Sequence, residues 1–128
     1  MAVKYVVVPK GNPVNPQAPK KFYSQVKTSG EIDLRELSTH IANISTLSSI
    51  DVMAVLEALL QIIPQHIADG KIVRLGDFGD FRLTLQSAGS ETAGAVTAQN
   101  IKAPRLRFRP GKVFKKAMRN IEYKKAAT

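Results

Sequence analysis

Arg105, Arg107 and Arg109 alternate with Leu106 and Phe108, and a Pro-Gly-Lys at 110–112 follows them. In an extended chain every second side chain shares a face, so the three guanidiniums line up on one side, with Arg82 of an earlier alternating run expected beside them. Arginine is permanently charged, and its planar fork matches a phosphate. Further on, Lys112, Lys115, Lys116 and Arg119 recur at the spacing of one helical face. Residues 101–128 hold ten Lys/Arg against one Glu, an excess of nine that equals the net charge of the whole chain, so everything upstream sums to zero. The chemistry this suits is non-covalent capture of a polyanion, nucleic acid first and an anionic membrane surface second. The plainer alternative is a solvated strand face and an ordinary polar helix face. For the arginines that alternative is the weaker one, because like charges side by side on a sheet repel unless an anion is supplied.

Other chemistries find few residues. The 128-residue chain has no Cys, which removes disulfides, thiolate metal sites and cysteine nucleophiles. His40 and His66 lie in different helices and have no Cys or clustered carboxylates at ligand spacing, so no metal and no cofactor is expected. A phosphate loop around Lys112 would need glycine at 106 and Ser or Thr at 113, where Leu106 and Val113 stand. No Gly-x-Ser-x-Gly elbow exists, and no enzymatic activity is expected. Without a signal-peptide pattern or an uninterrupted apolar run of membrane-spanning length, the chain reads as soluble and intracellular.

The elements that position the basic residues follow from periodicity. Residues 3–8 and 21–26 are β-branched and aromatic and read as strands, separated by a loop stiffened by Pro9, Pro13, Pro16 and Pro19. Asp33 and Glu36 form an Asp variant of the capping box and open a helix; Ser48 with Asp51 opens a second, running to Asp69 before Gly70. That second helix is apolar nearly all round, which a short chain satisfies most easily by packing against a second copy of itself. Pro64 within it predicts a kink. From Lys71 the period becomes two, giving strands over 71–75 and 80–86 around a Gly-Asp-Phe-Gly turn, and a third over 101–109. Residues 87–100 between them carry one charge and little bulk, and read as a long loop or mobile hairpin tip. Pro110 suits the first turn of a closing helix with Phe114, Ala117, Met118 and Ile121 inward, and Lys124 and Lys125 read as a frayed tail.

This order of elements, with FGDF at 78–81 and RFRPGK at 107–112, resembles the bacterial HU and IHF family of histone-like DNA-binding proteins, and the two-strand extension is similar to the extended HU-HIG variants. The resemblance implies an α+β fold: two helices, a three-stranded antiparallel sheet with an arm, and a C-terminal helix, intertwined as a homodimer. The expected divisions are an extension over 1–30, an HU-like domain over 31–121 and a basic tail over 122–128. Met53, Leu56, Leu60, Ile63, Phe78, Phe81 and Phe108 would form the dimer core. Arg82, Arg105, Arg107, Arg109, Lys112, Lys115, Lys116 and Arg119 would contact double-stranded DNA, in the cytoplasmic nucleoid, with no membrane partner. The extension would be free to bind another protein. The family's arms carry a proline tip amid basic residues; here no Pro, Lys or Arg occurs between Gln86 and Ile101, and Glu91 does. Sharp bending of DNA is therefore not expected, since a proline wedge is missing. A scaffolding protein that keeps the fold, or an RNA-binding one, are the alternatives.

Overall fold

Ser48 sets the start of the longest element: its Oγ accepts from the Asp51 amide at 3.1 Å, and the helix Ser49–Ala68 (α2) follows. In the computed structural model, which describes residues 2–127, α2 is preceded by β1 (Ala2–Lys10), β2 (Lys21–Lys27) and α1 (Leu34–Asn43). It is followed by β3 (Val73–Arg74), β4 (Gly79–Ser87), β5 (Ile101–Pro110), α3 (Lys112–Arg119) and β6 (Glu122–Lys125). The chain is thus mixed α/β, and it divides into two units: one joins the part up to Asp33 with the part from Ala117 on, the other is 34–116.

The first unit is a three-stranded sheet in the order β2-β1-β6. β1 and β2 pair antiparallel from Lys4↔Lys27 to Lys10↔Lys21, and β6 pairs parallel to β1 from Ala2↔Glu122 to Tyr5↔Lys125. The C-terminal residues expected as a basic tail therefore supply a strand. The ladder continues as the Ala126 amide donates to the Tyr5 carbonyl at 2.8 Å, with Ala126 buried. A charged segment such as Glu-Tyr-Lys-Lys has weak strand character of its own, and its partner lies at the other end of the sequence.

In the second unit α1 packs on α2, and α2 lies against the sheet β3-β4-β5. Pro64 stands inside α2, which runs on to Ala68 and ends at Asp69–Gly70. β3 is only two residues of the strand expected over 71–75: the Lys71 amide is still tied to the end of α2, donating to the His66 carbonyl at 3.0 Å, and the expected turn is a 3-10 helix at Gly76–Phe78. Pro110 ends β5 opposite Gly79, and α3 begins two residues later at Lys112, so the proline closes the sheet instead of opening the helix. Of the residues expected to face inward from α3, Phe114 is half-buried, Met118 is 49% exposed, and Ile121 lies beyond the helix.

The FGDF and RPGK motifs meet here. The Gly111 amide donates to the Phe78 carbonyl at 2.9 Å, and a Cβ at Gly111 would run into the Asp77 carbonyl. Gly79, at φ 143°, lies against the Arg109 carbonyl and the Phe108 ring, where no other residue would fit. The close approach gathers four rings: Phe78 and Phe114 at 4.7 Å between centroids, Phe81 and Phe108 at 4.8 Å, and Phe108 and Phe114 edge-on at 5.6 Å.

Candidate polyanion interface

β4 and β5 pair antiparallel with Asp80 opposite Arg109, Arg82 opposite Arg107 and Thr84 opposite Arg105. Directly opposed residues share a face, so Arg82, Arg105, Arg107 and Arg109 stand together, while Phe81, Leu83, Leu106 and Phe108 occupy the other side. Arg105, Arg107 and Arg109 are exposed. Arg105 is aimed by its neighbour strand: its Nη2 donates to Gln86 Oε1 at 2.8 Å.

One acid stands on this face. Asp80 is buried, and its Oδ2 accepts from Arg74 Nη1 at 3.1 Å while its Oδ1 lies 3.5 Å from Arg82 Nη2. That Oδ1 makes no hydrogen bond among the described residues, so its charge is balanced by the guanidinium at ion-pair distance. Arg74 and Arg82 are thereby engaged, and Arg105, Arg107 and Arg109 keep their charge outward. Sequence reasoning passed over Asp80 and Arg74. Their signal was present: Asp80 is the single acid in the alternating run that includes Arg82, two positions away on the same face.

The helix cations form a separate group. Lys112, Lys115, Lys116 and Arg119 are exposed on α3, and their spacing turns them away from Phe114, which packs into the ring cluster on the opposite side of the sheet from the arginines. The arginine face and the helix face are therefore two cationic surfaces.

The loop between β4 and β5 is tied by its own hydrogen bonds. The Ala88 amide donates to the Asn100 carbonyl at 2.8 Å, Asn100 Nδ2 reaches Ser90 Oγ at 3.0 Å, and the Thr97 amide donates to Asn100 Oδ1 at 2.8 Å. Where a long loop or mobile tip was expected, 3-10 turns at Ala93–Ala95 and Ala98–Asn100 occur.

On the other side of the sheet an apolar groove of about 910 Å³ opens between α2 and the strands. From the residues expected in a dimer core it takes Leu60, Ile63, Phe78 and Phe81, and it adds Leu83 and Leu106; Met53, Leu56 and Phe108 lie outside its lining. Leu60 is 53% exposed and Leu106 is 63% exposed, and among the large apolar residues of this unit only Val52 and Ile67 are buried. α2 is also long and apolar enough, by length and composition alone, to cross a membrane. Asp51, Glu57, Gln65 and His66 interrupt it, and it packs on α1 and the sheet while leaving most of its apolar surface open.

Among the described residues no cluster of His, Asp and Glu could hold a metal ion.

Comparison with known proteins agrees with this architecture. A solved structure from Bacteroides vulgatus ATCC 8482, titled "Putative bacterial DNA binding protein", superposes with a TM-score of 0.65 at 14% identity. The match covers 97% of this chain and 47% of that one, so the chain spans about half of its length. No curated protein matches the sequence. The family described as an HU domain fused to a winged helix-turn-helix, Ig or glycine-rich motif matches residues 1–125, and this chain belongs to that HU-HIG family.

Proposed function

We propose that this protein is an architectural DNA-binding protein that holds duplex DNA through phosphate contacts, with little base readout, as a homodimer in the bacterial nucleoid. The observation that carries the reading is the arginine face. Four arginines share one side of β4 and β5 with a single acid, Asp80, which engages Arg82 and leaves the outward charge of Arg105, Arg107 and Arg109 uncompensated. Regularly spaced guanidiniums on a rigid sheet suit a polymer of phosphates, whose condensed counterions are released on contact. Membership of an HU family and likeness in fold to a protein titled as DNA-binding support the same reading. No reaction is proposed.

The homodimer is supported by the open groove. A chain whose main core helix leaves Leu59, Leu60 and Ile62 at 39 to 53% exposure has an apolar surface to bury, and a second copy covers it with a matching one. Sedimentation equilibrium should give twice the 14.0 kDa chain mass, and Leu60→Asp should yield monomer or unfolded chain. A stable, folded wild-type monomer would remove this part of the reading.

Binding is tested by fluorescence anisotropy on a labelled duplex across a salt series. The slope of log K against log salt should be about −0.9 per phosphate contacted, and Arg107→Ala should weaken binding to every sequence alike. A flat salt response, or no binding near 50 mM salt, would favour a scaffolding role for the fold, for which the uncharged arm is the argument. Preference for RNA over DNA of the same strandedness in the same assay would redirect the reading to RNA.

A further inference from the structure

The register of the N-terminal sheet creates a row that no local sequence pattern displays. Lys4 of β1 is opposite Lys27 of β2 on one side and Lys124 of β6 on the other. Three lysines thus cross the sheet on one face, at strand separations of about 4.8 Å. Lys10 and Lys21 form a further opposed pair on the same face, six residues or roughly 20 Å along the strand. All five are exposed, and none forms an ion pair among the described residues. Lys10 lies 5.7 Å from the Tyr23 ring centroid, also on this face. The only acid that the strands place on this face is Glu122, opposite Ala2.

We infer that this lysine face is a second binding surface for the phosphate backbone of duplex DNA, separate from the arginine strand and carried by the sheet that the two-strand extension forms with β6. The inference rests on the DNA-binding reading for the identity of the polyanion. Directly opposed like charges destabilise a sheet, and a row of three across adjacent strands is tolerated best where an anion lies over it. Lysine as a guard against edge-to-edge pairing accounts for edge positions, but Lys4 is flanked by β2 on one side and β6 on the other. A membrane surface would call for exposed apolar side chains among the lysines. Here the most exposed large apolar side chains of the strands, Phe22, Val26 and Tyr123 at 62 to 70%, point to the opposite face, and of the large apolar residues among the lysines only Tyr23, under the Lys10 ammonium, is exposed.

The test uses the full chain and a labelled duplex. The triple variant Lys4→Gln/Lys27→Gln/Lys124→Gln should shift the slope of log K against log salt by about 2.7 toward zero, at 0.9 for each of three phosphates. Lys4→Arg/Lys27→Arg/Lys124→Arg should keep the wild-type slope. The Gln variant should melt no lower than wild type, because opposed like charges have been removed. A wild-type slope in the Gln variant would overturn the inference and leave the arginine reading intact. Arg105→Gln/Arg107→Gln serves as the separate control: if it binds as wild type does while the lysine variant fails, the lysine face stands and the arginine reading falls. Loss of binding to phosphatidylcholine/phosphatidylserine vesicles with an unchanged duplex slope would overturn the DNA assignment in favour of a membrane surface. A wild-type chain that binds no duplex near 50 mM salt would overturn both.

Discussion

The buried Oδ1 of Asp80 faces Nη2 of Arg82 at 3.5 Å without a hydrogen bond, while the other carboxylate oxygen is bonded to Arg74 at 3.1 Å. One acid therefore sets how much of the arginine face is presented outward. Removing its charge should change stability and binding in opposite directions.

Asp80→Asn is expected to lower stability by about 1–2 kcal/mol, since it replaces a charge-assisted bond to an arginine that is itself largely exposed. It should also tighten duplex binding at low salt and steepen the salt slope by up to about one contact, because Arg82 is released beside Arg107. Urea unfolding followed by anisotropy on the same preparation measures both. Weaker binding by a folded Asp80→Asn protein would show that Asp80 positions the arginines for contact and does not merely compete for them.

Gly111→Ala places a methyl group against the Asp77 carbonyl at the junction of the FGDF and RPGK motifs. With backbone on both sides, relief requires displacing the turn, and a loss of about 1–3 kcal/mol is expected. Gly89→Ala, which meets open space, is the matched control and should be near neutral. Equal denaturation midpoints for the two would mean that the junction yields more easily than its packing suggests.

The β4–β5 loop should bend DNA less than a proline-tipped HU arm. Residues 87–100 contain no Pro, Lys or Arg, and the nearest proline, Pro104, is in β5 opposite Leu85 and lines the apolar groove. Unstacking a base step costs a few kcal/mol, offset in bending proteins by a wedge and by charges that hold the arm in the groove. Energy transfer between the ends of a short duplex, compared with a proline-armed HU, reads the bend. Equal shortening would identify the 54% exposed Val96 as a wedge, which Val96→Ala would then abolish.

What the sequence disclosed and what it hid divide along one physical line. Ser48 as cap, Gly70 as stop and the alternation through Phe81, Arg82 and Leu83 are local signals, and the elements they announce are present. The arginine face was legible for the same reason, since strand period alone puts Arg105, Arg107 and Arg109 together. Non-local pairing was not legible. Glu122–Lys125 becomes a strand only because β1 offers an edge, and the Lys27–Lys4–Lys124 row exists only through that register. Asp80 was overlooked because its importance lies in cross-strand geometry and burial. Pro110 was misplaced by one element because helix starts and strand ends both favour proline.

The parallel pairing of β1 with β6 also has a kinetic consequence. The unit 34–116 is continuous in sequence, so its contacts can form while the chain is still emerging from the ribosome. The other sheet pairs strands from either side of that unit, and β6 is synthesised after the whole of 34–116, so closing it spans a loop of more than a hundred residues. The sheet should thus be the final part to lock. Its two older strands, β1 and β2, would wait as a hairpin with an open β1 edge until the C-terminal residues arrive to cover it.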